Sequence, residues 1–238
     1  MIPLIYDQIN VFSKDRLFYN SLLNNLNVST IADVGCGTGR LTKSFAESGI
    51  NITAIDPNGE AIHVAKTKID ANNISWIVGD STDLESNSYD AVIMTANVAQ
   101  VFLTEASWQQ LITDVYRALK PGGSFIFDCR NAAVKVWESW KKDLTPDYAT
   151  NEKTGEKLEI WTTYDGFIND IYTFYETVQV QDTNEIVTKL KLELKFRTKE
   201  ELEHSIQTTG FTIDRIYGDF EFTDATNDTY TFIFHCKK

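Results

Sequence analysis

The segment Asp33-Val-Gly35-Cys36-Gly37-Thr38-Gly39 joins a short apolar run to an amphipathic one. A glycine turn at such a junction lets a ligand approach the backbone closely, and a helix start beyond it offers N–H groups to an anion. The spacing is G-x-G-x-G, and Arg40 stands where a dinucleotide fingerprint has its third glycine. No G-x-x-x-x-G-K-[ST] phosphate loop is present. Asp33, two residues ahead of the first glycine, sits badly beside a pyrophosphate and suits a ligand that carries positive charge. Asp56 closes the second apolar run, and a carboxylate placed there can accept two hydrogen bonds from ribose hydroxyls. Asp80-Ser81 follows the third run and Thr95-Ala96-Asn97 the fourth.

These residues need a scaffold that brings the ends of several strands together, and the rest of the pattern supplies one. Thr30–Gly35, Asn51–Asp56, Ile74–Val78, Tyr89–Met94 and Ser124–Asp128 read as strands. Helical stretches separate them: Leu41–Ser48, Gly59–Asp70 and Thr104–Leu119, with a further helix from Ser13, its expected N-cap, to Leu26. Strands joined by helices of this length pair in parallel through right-handed crossovers, which predicts a doubly wound α/β sheet. Ligands then lie across the carboxyl ends of the strands, so Asp33, Gly35–Gly39 and Asp56 converge on one crevice.

After Asn131 the pattern changes. Residues 132–143 read as a helix and Thr145–Glu156 as a polar, turn-rich stretch. Lys157 to Phe196 alternates as three antiparallel strands, with turn signals at Asp165-Gly166, Asn169-Asp170 and Asp182–Asn184. Thr198 and Glu201 form a capping box that opens a helix, Gly210 stops it, and two closing strands follow over 211–217 and 230–236. The expected organisation is a core of 1–131 and 198–238, with 1–27 as a covering segment, and an inserted antiparallel β lid at 132–197.

On these residues the sequence resembles the class I S-adenosylmethionine-dependent methyltransferases, strongly over 28–130 and in outline over 198–236. The resemblance implies a mostly parallel, seven-stranded Rossmann-like sheet with its last strand inserted antiparallel. It implies that Asp33, Gly35, Cys36, Gly37, Thr38 and Gly39 hold the methionine portion of S-adenosylmethionine. Asp56 would bind the ribose, Pro57 would lie against the adenine, and Asp80 and Ser81 match the pair at the adenine edge. Tyr89–Met94 with Thr95, Ala96, Asn97 and Gln100 is similar to the motif near the transferred methyl, and Leu119–Gly123 to the helix-to-strand turn before the fifth strand. The cofactor carries a sulfonium, an ammonium and a carboxylate but no phosphate, in keeping with the acids around the turn. The reaction is an in-line displacement at an activated methyl carbon, for which positioning can supply up to ~7–11 kcal/mol. No catalytic side chain is assigned, since none is demanded.

The methyl acceptor is expected to be a small molecule, methylated at nitrogen or oxygen, with the acidic charge tilting toward an amine. Arg130 and Asn131 follow the fifth strand and should face the crevice, where Arg130 can pair with an anionic group. Trp161 and Tyr164 belong to an aromatic-rich insert suited to a planar substrate or a cation. Tyr6 and Asp7 resemble the tyrosine-bearing leader of related small-molecule enzymes, which folds over the cofactor.

Composition bounds the partners. With 22 Lys+Arg against 34 Asp+Glu, the formal charge of −12 argues against nucleic acid, whose phosphates call for clustered bases. No run approaches the ~18 apolar residues of a membrane span, and the first residues do not read as a secretory leader. Three scattered cysteines and three isolated histidines predict neither a disulfide framework nor a metal site. A cytoplasmic monomer or homodimer is expected. Two other readings share the same residues: a nicotinamide-dependent dehydrogenase, against which Arg40 speaks, and a cofactor-binding protein without catalysis.

Overall fold

The computed structural model describes residues 2–11 and 14–238; the expected N-cap Ser13 lies outside them. Two helices lead, α1 (Ile2–Ile9) and α2 (Lys14–Asn25). Strands and helices then alternate: β1 (Thr30–Val34), α3 (Thr42–Glu47), β2 (Asn51–Asp56), α4 (Gly59–Lys68), β3 (Ile74–Val78), β4 (Tyr89–Met94), α5 (Glu105–Ala118) and β5 (Leu119–Arg130). A one-turn helix α6 (Trp137–Trp140) leads to β6 (Asp147–Thr150), β7 (Lys157–Ile168), β8 (Ile171–Val180) and β9 (Ile186–Lys195). The chain closes with α7 (Lys199–Thr209), β10 (Thr212–Tyr217) and β11 (Thr231–Lys237).

The main sheet has the order β10-β11-β5-β4-β1-β2-β3. Strands β1 to β5 pair in parallel, and β11 runs antiparallel between β5 and β10. This is the doubly wound α/β sheet with an inserted antiparallel strand that the sequence predicts. Helices cover both faces, so its central strands are continuously apolar rather than alternating: Ala91 to Met94 and Phe125 to Phe127 are all fully buried. Capping fixes the helix limits. Thr104 and Ser107 close a box on α5, Thr198 and Glu201 close one on α7, and Gly210 ends α7 in the left-handed region. The strand order reverses between β1 and β4, and a crevice opens there at their carboxyl ends.

The inserted region departs from the sequence reading. Four strands, not three, form its antiparallel sheet, in the order β6-β7-β8-β9. The added strand β6 lies in the stretch read as turns and is held by its pairing with β7, Asp147 opposite Ile160; four residues are too few to show a period. Asp165-Gly166 is no turn, because β7 runs through it with a bulge that Gly166 absorbs at φ +88°. The helix expected over 132–143 is interrupted by Lys135 in the left-handed region, leaving a 3-10 turn and α6. The Lys120–Gly123 segment is not a free turn either: β5 starts at Leu119, paired with Tyr89, and slips register before Ala91.

Helix α1, which the sequence reading did not contain, ties the two sheets together. Ile5 is fully buried among Ala149, Leu158, Ile160, Val178 and Val180 of the lid, a burial that contributes about 1.5–3 kcal/mol. The Gln8 amide donates to the Thr150 carbonyl and accepts from its N–H, both at 2.9 Å. On its other side Asp7 accepts from the Thr38 hydroxyl at 2.7 Å and pairs with Lys68.

Candidate active site

A cleft of about 340 Å³ lies at the reversal point of the strand order. Its floor is Asp33, Gly35, Cys36, Gly37 and Thr38 from the turn after β1, Asp56 from the end of β2, and Thr95 and Ala96 from the end of β4. Asn58, Glu60 and Ala61 at the start of α4 form one side. Ile2, Pro3 and Tyr6 of α1, with Thr188 and Leu190 of β9, form the cover.

The glycine turn closes on itself. The N–H groups of Gly35 and Cys36 both donate to the Ile55 carbonyl, that of Gly39 to the Cys36 carbonyl, and that of Gly37 to Asp56 Oδ2 at 2.8 Å. Four N–H groups that a phosphate cradle would aim at its ligand are therefore engaged internally, which sets this turn apart from a dinucleotide loop. Gly35 is in the left-handed region at φ +73°, and a Cβ there would meet Val98 Cγ1 at 2.6 Å. Arg40 replaces a third glycine for a positive reason: it pairs with the buried Asp15 of α2 at 2.5 Å and ties the turn to that helix.

The acids of the cleft are placed differently. Asp33 is buried; its Oδ2 accepts from the Thr42 hydroxyl at 2.6 Å, and its Oδ1 is buried without a partner among the described residues. Burial pushes its carboxyl up to about 7, against the pull of the Thr42 bond and with a further push from Asp56. Asp56 Oδ1 accepts from the Asn58 N–H at 2.8 Å, so each carboxylate oxygen keeps a lone pair for another donor. The half-buried Cys36 thiol, beside these two carboxylates, is held well above the usual thiol range. Asp33, Asp56 and Glu60 against Arg40 make the wall favourable to a cation.

Other expected site residues lie elsewhere. Pro57 is exposed, and its neighbour Asn58 lines the cleft instead. Asp80 and Ser81 are not among the lining residues: Asp80 caps the 3-10 turn that follows it, accepting from the Thr82 N–H and hydroxyl, and Ser81 donates to Asp114. The Asn97 side chain is likewise off the cleft. Asn131 is structural, donating to the Asn227 and Thr229 carbonyls and capping Ala133. Trp161 is on the outer face of β7, bonded to Glu159. Gln100 and Arg130 meet each other at 2.7 Å beside the cleft, with the Arg130 guanidinium 5.0 Å from the Trp140 ring centroid. Tyr164 stacks against Trp140 within the lid's aromatic cluster.

Several contributors escaped the sequence reading, among them Asp128, Thr188 and Leu190. Asp128, near the end of β5, is buried and accepts from the Tyr19 hydroxyl at 2.8 Å and from the N–H groups of Ala96 and Asn97. It holds both residues in the left-handed region, φ +59° and +66°, a conformation that costs non-glycine residues of order 1 kcal/mol each. The signal was an acid inside an otherwise apolar central strand. Thr188 and Leu190 gave no signal, because a lid strand alternates in the same way whatever it covers.

The methyltransferase domain pattern matches residues 31–123. YqeM of Bacillus subtilis (strain 168), whose name assigns it to the methyltransferases, is 24% identical over 216 residues, 87% of this chain and 83% of that protein. The ubiquinone biosynthesis O-methyltransferase of Rickettsia akari is 30% identical over 174 residues, 68% of this chain and 66% of its own length. A solved S-adenosylmethionine-dependent methyltransferase of Clostridium acetobutylicum superposes with a TM-score of 0.76 at 18% identity, covering 98% of this chain and 95% of that one. The sheet with its inserted strand and the cleft at its reversal point define a Rossmann-like methyltransferase fold. The chain belongs to the class I S-adenosylmethionine-dependent methyltransferase family, and S-adenosylmethionine is its cofactor.

Proposed function

We propose that this protein methylates a nitrogen or oxygen atom of a small molecule, with the core of residues 1–131 and 198–238 holding the cofactor and residues 132–197 closing over the acceptor. The observation that carries the reading is the composition of the cleft at the reversal point: charged groups and a self-satisfied glycine turn on the floor, Tyr6, Thr188 and Leu190 as its cover. When bound, S-adenosylmethionine supplies a methyl group on a positively charged sulfur. The residues present fit it. The buried Oδ1 of Asp33, without a hydrogen-bond partner among the described residues, would accept from its ammonium, and the spare lone pairs of Asp56 would take its ribose hydroxyls. Tyr6 and the lid strand β9 exclude water from above. Asp128 holds the Thr95–Asn97 corner rigid, so that donor and acceptor meet in a fixed line rather than through a nucleophilic side chain.

Titration calorimetry with S-adenosylhomocysteine tests the cofactor half. Binding is expected, and Asp56→Ala should weaken it by about 10–100-fold, the worth of a hydrogen-bonded charge. Radiolabelled methyl transfer to a panel of small amines and alcohols tests the rest. A protein that binds cofactor yet labels no member of the panel is a binder without catalysis, and the reading fails.

A further inference from the structure

Strands β7, β8 and β9 turn one face toward α1 and the cleft. On it the register aligns Thr162 with Glu176 and Tyr164 with Phe174, and on the other side Glu176 with Leu190 and Val178 with Thr188. Side chains two apart along a strand share a face, so β8 presents Tyr172, Phe174, Glu176, Val178 and Val180 in a row. Val178 and Val180 pack on Ile5 of α1. Tyr172 and Phe174 pack on Trp140 and Tyr164, with ring centroids 5.7 to 6.4 Å apart. Glu176 stands between these two packed patches, the one acid in an apolar row.

Its strand neighbour Leu190 lines the cleft together with Tyr6. The Glu176 carboxylate is half-buried and has no hydrogen bond or ion pair among the described residues. Burial, and then the charge of Asp147, raise its carboxyl above the usual carboxylate range, and its charge is felt by both Tyr6 and Tyr164. The Arg130 guanidinium is engaged with Gln100 and Trp140. Burying an unpaired charge is costly, and a sequence that breaks its own apolar pattern at one position does so most often at a functional site.

We propose that Glu176 is the anionic anchor of the acceptor site, and that the acceptor is a small molecule presenting an ammonium group, seated between this carboxylate and the rings of Tyr164, Phe174 and Trp140. The inference rests on the reading of the chain as a small-molecule methyltransferase and narrows its acceptor to an amine, which binds protonated and passes a proton to the Glu176 carboxylate before its nitrogen lone pair attacks the methyl. Carboxylate and aromatic faces are the two groups that attract an ammonium ion at a desolvated site. A neutral hydroxyl in the same place leaves the carboxylate unpaired, and an anion is repelled by it.

The test uses the whole protein saturated with S-adenosylhomocysteine. Binding of benzylamine, benzyl alcohol and benzoate is read by saturation-transfer NMR and competition. Benzylamine is expected to bind at least tenfold more tightly than either isostere. Glu176→Gln should erase that preference, Glu176→Asp should keep part of it, and both should bind S-adenosylhomocysteine as the wild type does. Absence of an ammonium preference in the wild type, or its survival in Glu176→Gln, overturns the assignment while leaving the cofactor site standing. Failure of the wild type to bind S-adenosylhomocysteine at all would instead remove the reading beneath it.

Discussion

The floor and the cover of the cleft are built on opposite plans. On the floor, hydrogen bonds join neighbours: Gly37 to Asp56, Thr42 to Asp33, Ala96 and Asn97 to Asp128. In the cover, ring contacts and buried aliphatic side chains do the work, and the charged group of Glu176 has no partner among the described residues. A floor of fixed polar geometry suits a ligand whose functional groups never change. An apolar cover with one charge in it suits selection among substrates, since a single side chain there alters preference without disturbing the scaffold.

That contrast can be broken or sharpened by substitution. Gly35→Ala on the floor forces a Cβ into Val98 at a backbone conformation alanine adopts at a cost. It should destabilise the protein by about 1–3 kcal/mol and lower its melting temperature, with Val98→Ala in the same chain restoring part of the loss. A fully tolerated Gly35→Ala would mean that the floor is looser than its hydrogen bonds imply.

Asp33 gives a pH-dependent probe of the same wall. Its carboxyl lies at about 7 in the folded protein against 3.8 ordinarily, so the folded state holds a proton that the unfolded chain has lost between those values. Its contribution to stability is therefore full below pH 4 and disappears as pH rises toward 7. The ammonium of the ligand's amino-acid end favours the ionised form of Asp33, so affinity for S-adenosylhomocysteine should rise with pH up to about 7, by no more than tenfold per unit, and then level off. Asp33→Asn should flatten both profiles in denaturation and calorimetry. The smallest effect is expected on the outside of the cover. Trp161 faces away from the cleft, so Trp161→Ala should change stability by no more than about 0.5 kcal/mol and leave ligand binding as it was. A large loss of binding would show that the lid's outer face reaches the site.

The floor was legible because its determinants are local. The glycine spacing, Asp33 and Asp56 fall at successive strand ends, and a parallel sheet gathers strand ends at one edge whatever the rest of the chain does. Pro57, Asp80 and Ser81 fall outside the cleft's lining, because proximity along the chain does not say whether a side chain turns to the cleft or, as at Asp80 and Ser81, satisfies its own turn. The cover was hardly legible. Helix α1 has eight residues, too short to form by itself, and exists because Ile5 and Gln8 meet a lid sheet more than a hundred residues away.

By itself, then, the order of residues determined the doubly wound sheet, the glycine turn and the pair of acids flanking it, since apolar periodicity, caps and turn chemistry act over a few positions. The tertiary structure decided which lid residues meet the cofactor's crevice, that Asp128 braces the corner after β4, and that Glu176 is left unpaired. Those outcomes depend on pairing register and helix docking between distant segments, and a one-residue shift in register would have turned the other face of every lid strand inward.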